Sequence, residues 1–193
     1  YGMSAFPYGD LFLGQLEYWH QQPDRSEITL AWSEDLRTWH QSPLRQPFVR
    51  AQYPWNANWN SPNSGPPVRK DNKLLFYVGG RSGAHCRADM SCGAVGLATI
   101  LADRFCALHA DVRPGTVLTT PITWPGGDLL LHANATHYAD SHPHTGGGAL
   151  AIEVLDPEEK PLVGFGGEDC ATFHGNTVTG PACVRWGPAG GRS

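Results

Sequence analysis

The stretch Glu27-Ile28-Thr29-Leu30-Ala31-Trp32-Ser33-Glu34-Asp35-Leu36-Arg37-Thr38-Trp39 carries the decisive pattern of this chain. In its first half, Ile28, Leu30 and Trp32 fall on one side and Thr29, Ala31 and Ser33 on the other, which is the period-two pattern of a β-strand. Its second half reads as a turn, because an Asp side chain accepts backbone N–H groups two or three residues on. An aromatic residue, Trp39, stands just beyond that turn. Upstream, Phe12, Gly14, Leu16 and Tyr18 share a face, and the Pro23-Asp24 region supplies a connection, so the two runs predict an antiparallel pair.

Downstream the pattern returns. Leu74–Val78 is a strand candidate followed by Gly79-Gly80, a long polar loop, and a further strand near Ala94–Ile100. Ile28-Thr29-Leu30-Ala31 and Val95-Gly96-Leu97-Ala98 each follow an aromatic-rich strand and precede an acidic turn with an aromatic just beyond. A repeated strand pair with one apolar face suggests stacked or radially arranged sheets that cover one another. From about Asp111 the texture changes. Thr116–Thr120, Asp128–Ala133, Ala149–Leu155, Leu162–Phe165 and Ala182–Trp186 are short strand candidates between Gly, Pro and Asp-rich turns, with Asp156-Pro157-Glu158-Glu159-Lys160 as a polar hairpin. Helical periodicity is nearly absent. The reading is an all-β chain in two parts, residues 1–110 and 111–193.

Composition agrees. Of 193 residues, 40% are hydrophobic and 17% charged, and Gly 23 with Pro 16 makes about a fifth of the chain, favouring short elements and many turns. The net charge of -4 gives no electrostatic footprint for nucleic acid. No stretch approaches the ~18 apolar residues of a membrane span. The first residue is Tyr and no charged-then-apolar leader precedes the first strand, so the expectation is a chain cut from a longer protein, with its location unknown. Among Cys86, Cys92, Cys106, Cys170 and Cys183, a Cys86–Cys92 loop and a Cys170–Cys183 bridge stand beside the simpler reading of free thiols packed as small hydrophobes. Asn134-Ala135-Thr136 has the form of a glycosylation triplet, which matters only for a secreted chain.

Ser33-Glu34-Asp35-Leu36-Arg37-Thr38-Trp39 has the form S-x-D-L-x-x-W, and it resembles the blade motif of five-bladed β-propeller glycoside hydrolases of the fructosidase and arabinosidase kind. The wider pattern extends the likeness: Tyr1-Gly2-Met3 with Phe6-Pro7-Tyr8, then Phe76-Tyr77-Val78-Gly79-Gly80 with His85, then Gly96-Leu97-Ala98-Thr99. It is similar to a subgroup of bacterial glycosyl hydrolases in which a short sandwich follows the propeller, and Gly115–Pro121, Ala151–Asp156 and Gly164-Phe165 match the style of that sandwich. The resemblance implies the last two blades of a propeller in residues 1–110 and a truncated β-sandwich in 111–193. It also implies a carbohydrate partner, and catalytic carboxylates on early blades outside this chain. Missing blades leave open sheet edges, from which self-association is expected.

A glycosidase needs two carboxyl groups across one sugar. Asp10, Asp35, Asp71 and Asp89 are the candidates here, and turn positions explain Asp10, Asp35 and Asp71 more simply, so the catalytic residues stay unknown. Glu168-Asp169-Cys170 looks like a fructosidase acid motif but lies in the wrong part of the chain. The substrate-contacting candidates are His85, on the loop after Gly79-Gly80, and Trp55, Trp59 and Asn60, in a Trp/Asn-rich loop. Aromatic faces stack on sugar rings while amides and imidazoles bond hydroxyls. A plain loop histidine and ordinary packing between blades are the competing readings. His132, His137, Asp140, His142 and His144, and separately His85, Cys86, Asp89 and Cys92, invite a metal reading. Their spacings fit no helical ligand pair, so no metal and no cofactor is expected.

Overall fold

The computed structural model describes residues 1–85, 93–110, 113–136 and 147–187. It is all-β, with antiparallel sheets and two single-turn 3-10 helices, and no sheet closes on itself among the described residues. The chain divides into two compact units, Tyr1–Leu108 and His109–Ser193.

The first unit opens with β1 (Met3–Tyr8), β2 (Leu11–His20) and β3 (Arg25–Ser33), an antiparallel meander in register Ala5↔Gly14 and Gly14↔Ala31. The two-residue turn between β1 and β2 places Gly9 at φ 58°, a backbone state that costs glycine little. Two short strands, β4 (His40–Gln41) and β5 (Pro47–Val49), share the far edge of β3. A second sheet is built on β8 (Lys73–Arg81). β6 (Trp59–Pro62) and β7 (Val68–Lys70) divide one of its edges, and β9 (Gly93–Leu101) takes the other. β8 alternates cleanly, with Leu74, Phe76 and Val78 buried and Lys73 and Tyr77 exposed. Its buried face meets the first sheet in a core of Phe6, Ile28, Leu74, Phe76, Val78 and Ala102. Asp71-Asn72 forms the tight turn between β7 and β8, with Asp71 at φ 54°.

The turn after β3 is built as its residues dictate. Ser33 Oγ accepts the N–H groups of Asp35 (3.2 Å) and Leu36 (2.9 Å), and Asp35 Oδ1 accepts those of Arg37 and Thr38, both at 2.8 Å. Trp39 then folds back over Gly14. A Cβ there would stand 2.9 Å from its Cζ3 and 2.7 Å from Met3 Sδ, so the small pair Gly14 and Ala31 makes the bed for this ring. The strand is therefore covered on both faces: Ile28, on the apolar face, is fully buried in the core against the second sheet, and the small face is covered as well. Thr29, Ala31 and Ser33 are buried while Trp32 is exposed, stacking instead on His40 across the β3–β4 pair. The polar-looking face is covered because its side chains are small enough to be roofed.

The second unit is sparser. β10 (Leu130–Leu131) pairs with β13 (Ala182–Cys183), and β11 (Leu150–Ile152) with β12 (Ala171–Phe173). Trp186, Val184 and Ala171 form its core, joined by Leu131, Ile152, Val154 and Phe165. Asp156 organises the expected hairpin by accepting the N–H groups of Glu158 and Lys160 at 3.0 and 2.9 Å. Two expected strands are absent. Thr116–Thr120 is exposed and outside any ladder, with no partner strand aligned beside it among the described residues. Leu162–Phe165 is a turn closed by Phe165 N–H on Leu162 O at 2.9 Å, with Gly164 at φ 85°. Cys106, Cys170 and Cys183 are free thiols, so the expected Cys170–Cys183 bridge is not formed: Cys183 lies within the β10–β13 ladder and Cys170 just before the β11–β12 ladder. Cys86 and Cys92 lie outside the described residues.

Candidate functional site

At one end of the first unit, strands of both its sheets bring four aromatic rings together. Tyr1 precedes β1, Trp19 sits near the end of β2, Trp59 begins β6, and His85 follows β8. The Tyr1 ring stands edge-on to Trp19 and Trp59, with centroids 5.5 Å away from each and planes near 90°. The His85 imidazole lies among all three rings. It is stacked on Trp59 at 4.8 Å with a 20° tilt, 5.2 Å from Trp19, and 5.2 Å from Tyr1. Tyr1 Oη and His85 Nε2 are 2.7 Å apart. The Arg81 guanidinium lies over the Trp59 ring at 5.1 Å, a cation–π contact.

A single carboxylate ties the group. Asp24, in the turn between β2 and β3, accepts the Trp19 indole N–H on Oδ1 and the His85 backbone N–H on Oδ2, both at 2.8 Å. Tyr1 is exposed and Trp19, Asp24 and His85 are half-buried, so the group presents a mixed aromatic and polar surface. Such a surface can stack on the apolar face of a ring while its hydroxyl and imidazole bond polar substituents.

Of the residues expected from sequence, His85 and Trp59 meet here. Trp59 is 5% exposed, covered by His85, Tyr1 and Arg81, and its indole N–H bonds Ser61 Oγ at 3.0 Å, so it is the floor of the group. Asn60 is corrected from a sugar-facing amide to a structural one. It is fully buried, donating to Ser26 O (3.1 Å) and Asn56 O (3.3 Å) and accepting from Asn56 Nδ2 (2.7 Å). With Ser26 N–H on Asn58 O at 2.8 Å, this network staples β3 to the loop that carries Trp59. Trp55, in the 3-10 turn Pro54–Asn56, stands over β8 and β9. A Cβ on Gly80 would be 2.4 Å and one on Gly96 2.2 Å from its six-membered ring. It walls a cleft of about 320 Å³ with Tyr53, Leu97 and Thr99, apart from the ring cluster.

Tyr1, Trp19 and Asp24 are not among the site residues expected from sequence. For Trp19 the signal is in the alternation of β2: Leu13, Gln15, Glu17 and Trp19 share the face opposite Phe12, Gly14, Leu16 and Tyr18.

The remaining chemical candidates have structural places. Asp10 lies exposed in the β1–β2 turn, and Asp35 and Asp71 hold turns. The Asp35 carboxyl is held below the usual carboxylate range by the N–H groups of Thr38 and Arg37. Glu168-Asp169-Cys170 spans the 3-10 turn Gly167–Asp169 of the second unit, and His132 is exposed there. Asp89, Cys86, Cys92, His137, Asp140, His142 and His144 lie outside the described residues. Among the described residues no group of three or more His, Cys, Asp or Glu is arranged to hold a metal ion. Comparison with protein-family models, with curated proteins and with solved structures finds no match to this chain.

Proposed function

We propose that this chain is part of a glycoside hydrolase of the five-bladed propeller kind. In that reading residues 1–110 are its last two blades and contribute a wall of the sugar cleft, and residues 111–193 form an accessory β-sandwich. The observation that carries the proposal is the ring cluster of Tyr1, Trp19, Trp59 and His85, gathered where the ends of two successive sheets meet. Partly open aromatic faces beside a phenol and an imidazole suit a ligand that is apolar on its faces and hydroxylated at its edge. The S-x-D-L-x-x-W segment supports it further, since Ser33 and Asp35 make a turn closed on backbone N–H groups and Trp39 just beyond it packs over Gly14 of its own sheet.

Hydrolysis needs a carboxyl pair about 5–10 Å apart, one member kept protonated. Asp24, Asp35 and Asp71 are each engaged in a turn or a clamp, and the resemblance places the pair on earlier blades, so this reading puts it outside this chain. That same engagement favours the second reading, a non-catalytic carbohydrate-binding module on the same scaffold. The two are separated by extending the coding sequence upstream of Tyr1 and assaying the longer product on aryl glycosides. Three further blades with acidic strand starts and measurable turnover support the hydrolase. Blades without those carboxylates and no turnover leave the binding module, and an upstream region encoding no β-blades contradicts the propeller.

A further inference from the structure

We propose that Asp24 is the positioning residue of this site: it fixes His85, and through His85 the Tyr1 hydroxyl, for contact with a neutral polyhydroxyl ligand. The inference rests on the sugar-binding reading of the ring cluster. Asp24 occupies the left-handed region at φ 60°, which Asp tolerates better than most residues, and its own N–H closes the turn on Gln21 O at 3.2 Å. That backbone aims the carboxylate away from the turn and across to the other sheet. One oxygen then holds Trp19 of the first sheet and the other holds the His85 amide, on the segment that follows β8 of the second. Hydrogen bonds to an ionised acceptor are stronger than neutral ones, so this is a firm link between two elements 61 residues apart.

Pinning the His85 backbone decides what its ring can do. The imidazole is left stacked on Trp59, with Nε2 at 2.7 Å from Tyr1 Oη. A phenol oxygen engaged by an imidazole has one of its hydrogen-bonding positions taken, whichever group donates, so the capacity left for a ligand hydroxyl is narrowed. Asp24 therefore acts without touching the ligand. Asparagine at this position has nearly the same shape but one acceptor oxygen, so it satisfies only one of the two N–H groups and turns an NH2 against the other.

The test compares the full 193-residue chain with its Asp24→Asn variant by NMR and by titration with arabinopentaose, xylopentaose and a fructo-oligosaccharide. The expected result is that the His85 amide and ring, the Tyr1 ring and the Trp19 indole all shift while the Leu74, Phe76 and Val78 amides stay in place. Affinity for whichever sugar the wild type binds falls about tenfold or more, the scale of one charge-assisted hydrogen bond. His85 and Tyr1 resonances unmoved in the variant overturn the positioning role, whatever happens to affinity. A wild type that binds none of the sugars overturns the sugar-binding reading instead, and the ligand-free spectra still judge Asp24. Hydrogen exchange of the wild type covers the case in which the variant does not fold. The His85 amide is expected to exchange at least about tenfold more slowly than that of neighbouring Ala84, and equal rates overturn the clamp.

Discussion

At the scale of single residues, the first unit depends on glycines that give up their side chains to aromatic rings. Gly80 and Gly96 lie on adjacent strands, directly under Trp55. Gly96→Ala is expected to destabilise by about 1–3 kcal/mol, because the ring or the strand must move to admit the methyl group. Gly65→Ala, whose new Cβ would meet only Asn63 at ordinary contact distance, is the near-neutral comparison, and urea unfolding of both variants checks the pair. Tyr8 supplies a second residue-scale outcome. Its phenol is held above its ordinary pKa, first by burial and then by the hydrogen bond it donates to Asp103 at 2.6 Å. A raised folded-state pKa contributes stability that is present below the unfolded value, about 10, and lost as pH rises through the folded one. Thermal unfolding between pH 9 and 12, as a range of about three units, should therefore fall more steeply for wild type than for Tyr8→Phe; parallel curves would count against the Tyr8–Asp103 contact. These residue roles were hidden in the sequence. A glycine in a strand announces a close approach but not which ring approaches, and Asp24 reads as one more turn carboxylate until its two partners are seen.

At the scale of elements, the legible and illegible parts of the sequence divide by how local their causes are. The turn after β3 was readable because Ser33 and Asp35 act on N–H groups within three residues of themselves. Strands β2, β3, β8 and β9 were readable from alternation, and the Asp71-Asn72 turn from its composition. That the small face of β3 is covered as well as the apolar one was not readable, since that depends on Trp39 lying over Gly14. The second unit failed more often for the same reason. Thr116–Thr120 has the composition of a strand, but a strand exists only beside another, and none is aligned with it among the described residues. The turn after β3 yields two expectations. Ser33→Ala, removing a buried hydroxyl that accepts two backbone N–H groups, should cost about 1–2 kcal/mol in chemical unfolding. Asp35, whose folded-state pKa is lowered, contributes stability present above the ordinary carboxylate pKa and lost as pH falls through the lowered value. Asp35→Asn should therefore flatten the acid limb of the thermal midpoint; an unchanged limb would show that the Thr38 and Arg37 contacts are not kept in solution.

At the scale of the whole molecule, two features set the expectations. Among the described residues β9 is an edge strand, nine residues long without a charge or a proline, with Val95 78% exposed. Natural edges are usually blunted, so light scattering of the purified chain is expected to show oligomers at micromolar concentration, and a monodisperse monomer would mean that the edge is covered. The other feature is the ring cluster, which joins the two sheets of the first unit and on which the carbohydrate reading depends. The most direct test is calorimetric titration of the chain with arabinopentaose, xylopentaose and a fructo-oligosaccharide, beside its Trp19→Ala and Tyr1→Ala variants, with released reducing ends measured in the same samples. The account predicts binding of at least one sugar, weakened about tenfold or more in both variants as stacking contacts are lost, and no release of reducing ends. Binding that ignores both substitutions, or no binding to any of the sugars, would contradict it.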